Sequence, residues 1–293
     1  MFCKNLIVYD INNDTTLQLI NNELLQKIAY TPCSPIDSVK SGFISPLDNN
    51  ELMIEINDQV LLKYQIERKI LPGDVIKRVV NDKVEKQEKL LGRKLKKSEK
   101  LALKDEAMIE LLPSSFSKFE QLNVWIDKAN KTLAITASSF RKSEDVLAHL
   151  RKELGSLAIC PICEQPAEKT LTKWLQGDKP TSFEICDSAV LFDCIDTRSK
   201  IKLINEQITD SREVKSYIDA GRMVESLSLS FNQGVKFTIK RDLTLSKITF
   251  DPCILLKNDD FMPDEKEQRI EADFILTSSI LSELIKEIKT NIN

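Results

Sequence analysis

The stretch GRKLKKSEKLALK, residues 92–104, has the clearest capacity for binding chemistry in this sequence. It holds five lysines and one arginine against a single acid, Glu99, in a chain of 293 residues with a formal net charge of −3. Lysine and arginine side chains at this density neutralise phosphates, which is the interaction that dominates nucleic-acid affinity. The segregated charge predicts a local anion-binding face on an otherwise acidic protein, with nucleic acid as its favoured partner.

The spacing of the basic residues predicts one helix over residues 80–112 with a cationic ridge along one side. The cations fall within roughly a third of the circumference of such a helix, and the apolar residues gather on the opposite side. At 1.5 Å per residue the ridge would be about 27 Å long, against about 34 Å for a turn of DNA. Gly92 and Ser98 leave open an alternative in which one helix ends and another begins. The cations are Lys86, Lys89, Arg93, Lys96, Lys97, Lys100 and Lys104, and the apolar residues are Val80, Val84, Leu91, Leu95, Ala102 and Ile109.

Three kinds of surface are compatible with this ridge. A solvated helix face normally mixes charges, whereas this one stacks like charges at i+3 and i+4, which costs roughly a few tenths of a kcal/mol per pair. Nucleic-acid contact would offset that cost, while a solvated face or an acidic protein or membrane surface remains an alternative. No base-reading motif accompanies the lysines, and phosphate contacts carry no sequence information. We therefore expect binding to duplex DNA without sequence specificity, with single strands still open.

The CPIC motif at Cys160–Cys163 has the spacing of zinc-binding and redox cysteine pairs. Cys186 and Cys194 could complete a zinc site, but they are eight residues apart rather than a second tight pair. We therefore expect small buried apolar residues with a turn at Pro161, and no metal. The seven cysteines are an odd number without a recognisable export signal, which predicts reduced thiols.

An acidic set near the C-terminal end could supply carboxylates for Mg²⁺ and make the protein a nuclease. A solvated acidic loop is the simpler interpretation. One histidine, His149, excludes a hydrolase triad and an HExxH zinc site, and neither GxxxxGK(S/T) nor GxGxxG occurs. The acidic residues are Asp259, Asp260, Asp264, Glu265, Glu271 and Asp273.

Alternating and helical patterns predict the elements that must position these residues. The chain is 42% hydrophobic and 30% charged, which is typical of a globular protein, and no window is apolar enough to span a membrane. Hairpins and helices alternate in blocks without a βαβ rhythm, which predicts an α+β fold. The predicted elements are a strand over NLIVYDI, a helix over 14–29, hairpins turning at Asn57-Asp58 and Asn130-Lys131, a helical region over 74–112, a helix from N-cap Ser143 to Gly155, a three-stranded meander over 226–250 and a final helix over 278–289.

Ten short blocks along the chain resemble the RdgC family of recombination-associated proteins. Many separate blocks in the same order and spacing are far more specific than any one of them, and the resemblance covers nearly the whole chain. The blocks are FCKNLIVYDI, YTPC, RKILPGDVIK, GRKLKKSEKLALKDE, LLPSSFSKF, WID, SEDVLAHLRKELGSL, TLTKWL, IDAGR and EADFIL.

The resemblance implies a bacterial, cytoplasmic, nucleoid-associated DNA-binding protein that is not an enzyme and needs no cofactor. It implies a ring-shaped homodimer with a basic central hole for duplex DNA, which hinders RecA-promoted strand exchange. Its α+β subunit would have antiparallel sheets with helices in a central body and a helical tip. The implied parts are 1–73 and 119–180 for the central body, 74–118 for the tip and 181–293 for a C-terminal base region.

The resemblance also assigns roles to individual positions. Arg93, Lys94 and Lys96 match the family's basic run on the hole, Phe116 matches an aromatic residue at a dimer contact, and Gln207 matches a polar residue on a finger-like element. The predicted DNA contacts are Lys86, Lys89, Arg93, Lys94, Lys96, Lys97, Lys100, Lys104, Lys118 and Gln207.

Two positions depart from the family pattern. Asn205-Glu206 stands where a lysine pair is expected before Gln207, and Ser114 stands where an arginine is expected. These departures weaken the expected finger contact and the expected overall affinity for DNA. A metal-dependent nuclease and a protein scaffold with a basic face remain the alternative functions.

Overall fold

The structure is a computed structural model that describes residues 3–13, 20–47, 49–162, 166–204, 208, 211–256 and 266–292. Blocks of antiparallel strands alternate with helices, so the predicted α+β class is confirmed. Within these residues, no helix is both long enough and apolar enough to cross a membrane.

The strands of the described residues form the framework of the molecule. They are β1 (Asn5–Ile11), β2 (Val39–Ile44), β3 (Met53–Ile56), β4 (Gln59–Lys69), β5 (Ser117–Asp127), β6 (Thr132–Ile135), β7 (Ile159–Pro161), β8 (Phe183–Asp193), β9 (Lys200–Ile204), β10 (Arg222–Phe231), β11 (Val235–Lys240) and β12 (Leu245–Phe250).

The helices lie between these strands and at the C-terminal end. They are α1 (Asn22–Lys27), α2 (Gly73–Leu91), α3 (Lys97–Leu111), α4 (Phe140–Leu154), α5 (Glu168–Leu175), α6 (Arg212–Asp219), α7 (Pro252–Leu255) and α8 (Lys266–Ile292), with a 3-10 turn over Leu112–Ser114.

One continuous antiparallel sheet runs in the order β2-β4-β5-β6-β1-β12-β11-β10-β8-β9. β3 also pairs with β4, and β7 also pairs with β1. The first strand of the chain therefore joins the strands of the N-terminal half to the C-terminal meander, because β1 pairs with β6, β7 and β12.

The apolar run in β1 is buried on both faces of the sheet, because successive side chains of a strand point to opposite faces. Leu6 and Val8 belong to one hydrophobic cluster, which α5 and α8 cover. Ile7 and Tyr9 belong to a second cluster, which α1 and α4 cover.

The local turns follow the sequence prediction. Asn57 and Asp58 have φ angles of 51° and 61° between β3 and β4, which is the left-handed backbone that Asn and Asp tolerate in tight hairpins. Lys131 has φ of 50° before β6. The three-stranded meander is also confirmed, with β10, β11 and β12 paired in order.

Several predicted helix boundaries are wrong. α4 begins one turn earlier than predicted, at Phe140 after N-cap Ser139. Ser143, the predicted cap, is buried inside the helix, where its hydroxyl bonds to the Tyr9 hydroxyl at 2.7 Å. Gly155 does end the helix, with φ of 73°.

The first and last predicted helices also differ from the structure. α1 begins at Asn22, because the Asn21 side chain accepts a hydrogen bond from the Leu24 N–H and caps the helix there. Residues 14–19 of the predicted helix lie outside the described residues. α8 is longer than predicted and includes residues 266–277 ahead of the expected start.

Candidate nucleic-acid interface

The predicted basic helix is two antiparallel helices joined by a short loop, which we call the helical hairpin (residues 73–111). α2 ends at Gly92, whose φ of 63° reverses the chain. α3 begins after Lys96, whose N–H donates to the Glu99 carboxylate at 2.7 Å. Lys83 of α2 pairs with Glu106 and Glu110 of α3 at 2.7 and 2.8 Å, which fixes the antiparallel arrangement.

The prediction of a single continuous cationic ridge is therefore wrong. The helical phase does not carry across Gly92, so the expected apolar side does not form. Leu91 and Ile109 are 51% and 60% exposed, although they were predicted to lie on the packed side. Leu95 of the loop is buried, as predicted, and the buried apolar residues of α3 are Leu103 and Ala107, which were not predicted.

The reversal nevertheless brings the predicted cations together at one end of the hairpin. Glu88 of α2 accepts from the Leu95 N–H at 2.9 Å and lies 3.6 Å from the Lys100 ammonium, so the last turn of α2 contacts the first turn of α3. All of the predicted lysine and arginine contacts are exposed: Lys86 and Lys89 on α2, Arg93, Lys94 and Lys96 in the loop, Lys97, Lys100 and Lys104 on α3, and Lys118 on β5.

Two acids pair with part of this charge. Arg93 binds Glu99 through two bonds of 3.0 and 2.7 Å. The Arg93 guanidinium and the Lys96 N–H lower the pKa of the Glu99 carboxyl to about 2. Residues 86–104 contain eight basic and two acidic residues. Among the residues that the structure describes, ion pairs join Arg93 to Glu99 and Lys100 to Glu88, and the other six cations have no acidic partner there. These six are Lys86, Lys89, Lys94, Lys96, Lys97 and Lys104.

Lys118 lies apart from the hairpin turn, on the first residues of β5. It is directly opposite Arg68 of β4 in the ladder. Arg68 also lines a cleft with His149 and Lys152 of α4. Sequence reasoning missed Arg68 because β4 and β5 are separated by the whole hairpin, and only their pairing register places these two cations together.

His149 has a structural contact in this cleft. Its Nδ1 lies 2.8 Å from the Tyr64 hydroxyl. Burial and the nearby Lys152 lower the pKa of the imidazole. His149 therefore packs against Tyr64 at the edge of the cleft.

A buried carboxylate anchors the strand ends from which the hairpin starts. Glu67 is 5% exposed and accepts from the Tyr30 and Ser117 hydroxyls, both at 2.5 Å, and from the Cys33 N–H at 2.8 Å. These hydrogen bonds, led by the one from Ser117, lower the pKa of Glu67 to about 2. The sequence gives no signal for this site, because its donors come from two segments, Tyr30 with Cys33 and Ser117, that are both distant from Glu67 along the chain.

Phe116, the predicted dimer contact, lies on the surface next to the start of the hairpin. Its side chain is 84% exposed, and its carbonyl accepts from the Ile70 N–H at 2.8 Å. Phe119 and Ile70 are 54% and 47% exposed. Ile70 and Phe116 are thus neighbouring exposed apolar residues where the chain enters and leaves the hairpin.

Cys160 and Pro161 of the CPIC motif do not match the expectation of a small buried apolar residue followed by a turn. Cys160 is half-buried in β7 and accepts from the Asn12 amide at 3.5 Å, so Pro161 lies in a strand rather than a turn. Cys186 is half-buried and Cys194 is exposed. Cys163 lies outside the described residues. In the part of the chain that the structure describes, no group of three or more His, Cys, Asp or Glu residues could hold a metal ion.

Two other predicted sites fall wholly or partly outside the described residues. Gln207 is outside them, as are Asp259, Asp260, Asp264 and Glu265. Glu271 and Asp273 belong to α8, so the expected solvated loop does not extend to them.

Comparison with known proteins supplies the family context of this geometry. A family model described as "Putative exonuclease, RdgC" matches residues 1–293. Similar curated proteins occur in Proteus mirabilis (37% identical over 98% of this chain and 97% of the relative) and Serratia proteamaculans (38%, 98% and 96%). Another occurs in Yersinia enterocolitica (36%, 98% and 96%). Each is named recombination-associated protein RdgC.

Proposed function

Because the chain belongs to the RdgC family of recombination-associated proteins, we propose that it binds double-stranded DNA through the helical hairpin without reading its sequence. The observation that carries this proposal is the set of six hairpin lysines that have no ion pair with any residue in the described part of the chain. Their ammonium groups are free to replace the counterions of DNA phosphates, and the release of those ions drives non-specific binding.

The geometry of the hairpin suits a phosphate backbone better than base edges. The cations lie at the ends of two helices and in the loop between them, as long flexible side chains on an exposed surface. The positive end of the α3 dipole lies in this loop and adds to the local potential, although Glu99 reduces it. Such contacts position a protein on a duplex and do not specify a sequence.

The proposed assembly is a two-fold, ring-shaped dimer. The neighbouring residues Ile70 and Phe116 would form one of its contacts, because exposed apolar side chains of this kind are typical interface anchors. A two-fold axis would present both hairpins to one duplex and double the number of cations. In this proposal the hairpin is the tip of the subunit, and Gln207 adds a contact from a second element.

The proposed role is to modulate RecA-dependent recombination in the nucleoid by occupying duplex DNA, without catalysis or cofactor. A protein that encircles a duplex would hinder strand exchange simply by covering the phosphates that another filament must reach. The cytoplasm is the compartment that this role requires.

A metal-dependent nuclease is the alternative, and the description of the family model as an exonuclease favours testing it. The wild-type protein is incubated with an end-labelled duplex and Mg²⁺, and the products are separated on native and denaturing gels. We expect a slower band on the native gel and full-length strands on the denaturing gel. Shortened strands that form with Mg²⁺ but not in the presence of EDTA would contradict a purely binding role. The absence of a shifted band would contradict DNA binding itself.

A further inference from the structure

A groove with an apolar floor and a lysine rim runs along the helical hairpin. Ile76 and Val80 of α2 and Leu101 of α3 form the floor of this lysine groove, and Leu101 is 59% exposed. The volume is about 460 Å³, which is in the range of roughly 300 to 1,000 Å³ for sites that hold a ligand. The remaining lining residues are Gly73, Lys77, Asn81, Lys97, Lys100 and Lys104.

The charge of the rim is one-sided. Four lysines line the groove, and the described lining residues include no acid. Two of these lysines have an acidic partner: Asp74 is 3.6 Å from Lys77, and Glu88 is 3.6 Å from Lys100. Both distances are long and both lysines are exposed, so the two pairs are worth little in water, and the rim stays positive.

Phosphates alone would not bury the apolar floor of the groove. DNA phosphates would contact the lysines and leave Leu101 exposed to water, whereas a polar residue at position 101 would avoid exposing apolar surface. A second copy of this chain is also a poor occupant, because both its own groove and its surface around Phe116, which carries Lys118, would set lysines against lysines. The lining therefore fits a ligand with both carboxylates and apolar side chains.

We propose that the lysine groove binds an acidic segment of another protein that also carries apolar side chains. The carboxylates would pair with the rim lysines, while one or two apolar side chains would cover Ile76, Val80 and Leu101. Because Lys97, Lys100 and Lys104 are also proposed DNA contacts, this segment would compete with DNA for the hairpin. Only the competition rests on the proposed function, and the groove assignment stands without it.

The test uses a fluorescein-labelled peptide, DEFDDLLDEFDE, and a control peptide of equal charge, DESDDSSDESDE, with fluorescence anisotropy on the full-length protein. Burial of at least one leucine-sized side chain should make the first peptide bind about tenfold more tightly or better. Leu101→Ser should remove this difference. Leu90→Ser is the matched control, because Leu90 is 85% exposed on α2 and does not line the groove.

Three results would overturn the groove assignment: no binding of either peptide, equal binding of both, or an unchanged difference in Leu101→Ser. Circular dichroism of each variant shows that the exposed substitution leaves the fold intact. Displacement of the bound peptide by an unlabelled duplex tests the competition separately. If the peptide binds the groove but the duplex does not displace it, the DNA-binding face assigned to the hairpin is wrong while the peptide site stands.

Discussion

Arg93 and Glu99 form a two-bond ion pair across the loop that joins α2 to α3, with nitrogen–oxygen distances of 3.0 and 2.7 Å. The same carboxylate accepts from the Lys96 N–H. Glu99 therefore holds the loop in its turned conformation and also cancels one positive charge of the face that we propose to bind DNA. The carboxylate that stabilises the loop therefore weakens the positive potential of the same surface.

Substitution of Glu99 tests that opposition. In Glu99→Gln the Arg93 guanidinium loses its partner and becomes available to a phosphate, so we expect tighter duplex binding and a salt dependence steeper by up to about one additional contact. The melting temperature should fall, because the carboxylate at the start of α3 is lost. Anisotropy with a labelled duplex and thermal unfolding measure the two effects, and weaker DNA binding with an intact hairpin would contradict the assignment of Arg93.

The buried carboxylate of Glu67 predicts a loss of stability in acid. Its folded pKa of about 2 is below its ordinary value of 4.5, so the folded state binds this proton less readily than the unfolded state. The stabilisation is complete above about pH 4.5 and is lost as the pH falls toward the folded pKa of about 2.

Glu67→Gln should lower stability at pH 7, because an amide cannot accept from all three donors and must bury its own N–H groups. It should also flatten the pH dependence between pH 5 and about 3. Urea unfolding at several pH values measures both. Glu85→Gln, an exposed change on α2, serves as the control, and an equal loss of stability in the two variants would contradict the role of Glu67.

The pair of opposed cations predicts effects of opposite sign on stability and binding. Lys118 and Arg68 face each other across the β4–β5 ladder, where like charges are destabilising by roughly a few tenths of a kcal/mol. Lys118→Gln should therefore raise stability slightly and weaken duplex binding. Unfolding and anisotropy on the same preparation test both signs, and unchanged DNA affinity would remove Lys118 from the interface.

Substitution of Phe116 should change assembly of the dimer without changing the fold of the subunit. Its side chain is 84% exposed, so Phe116→Ala should leave thermal unfolding of the subunit nearly unchanged. Loss of a buried phenylalanine from an interface should raise the dimer dissociation constant by roughly 10- to 100-fold. Analytical ultracentrifugation measures this change. Ile195→Ala, at a residue that is 98% exposed elsewhere, is the control and should have no effect.

The parts of the fold that depend on neighbouring residues could be predicted from the sequence. Asn57 and Asp58 mark their hairpin because the turn chemistry is local, and the alternation over β10 to β12 gives the meander. The central place of β1 could not be predicted, because its partners β6, β7 and β12 are more than 100 residues away. Their pairing depends on packing of the whole sheet.

The site was predicted in composition but not in geometry. The density of cations near Arg93 predicted an exposed basic surface, and these cations are exposed, because charge is visible in the sequence without a fold. The phase of the helix was wrong, because Gly92 reverses the chain and a periodicity across it has no meaning. Arg68, the Glu67 hydrogen bonds and the lysine groove depend on contacts between distant segments, and no local pattern encodes them.

The most direct test of the account is the salt dependence of duplex binding by the unpaired lysines. Affinity for a duplex of about 30 base pairs should fall roughly 10³-fold between about 50 and 200 mM salt if about six phosphates are neutralised. In Lys94→Ala/Lys96→Ala/Lys97→Ala we expect weaker binding and a log–log slope shallower by up to about 2.7. Lys27→Ala/Lys169→Ala/Lys236→Ala makes the same charge change elsewhere and should keep the wild-type slope. A wild-type slope in the hairpin variant, or an equal loss in both variants, would contradict the helical hairpin as the DNA-binding face.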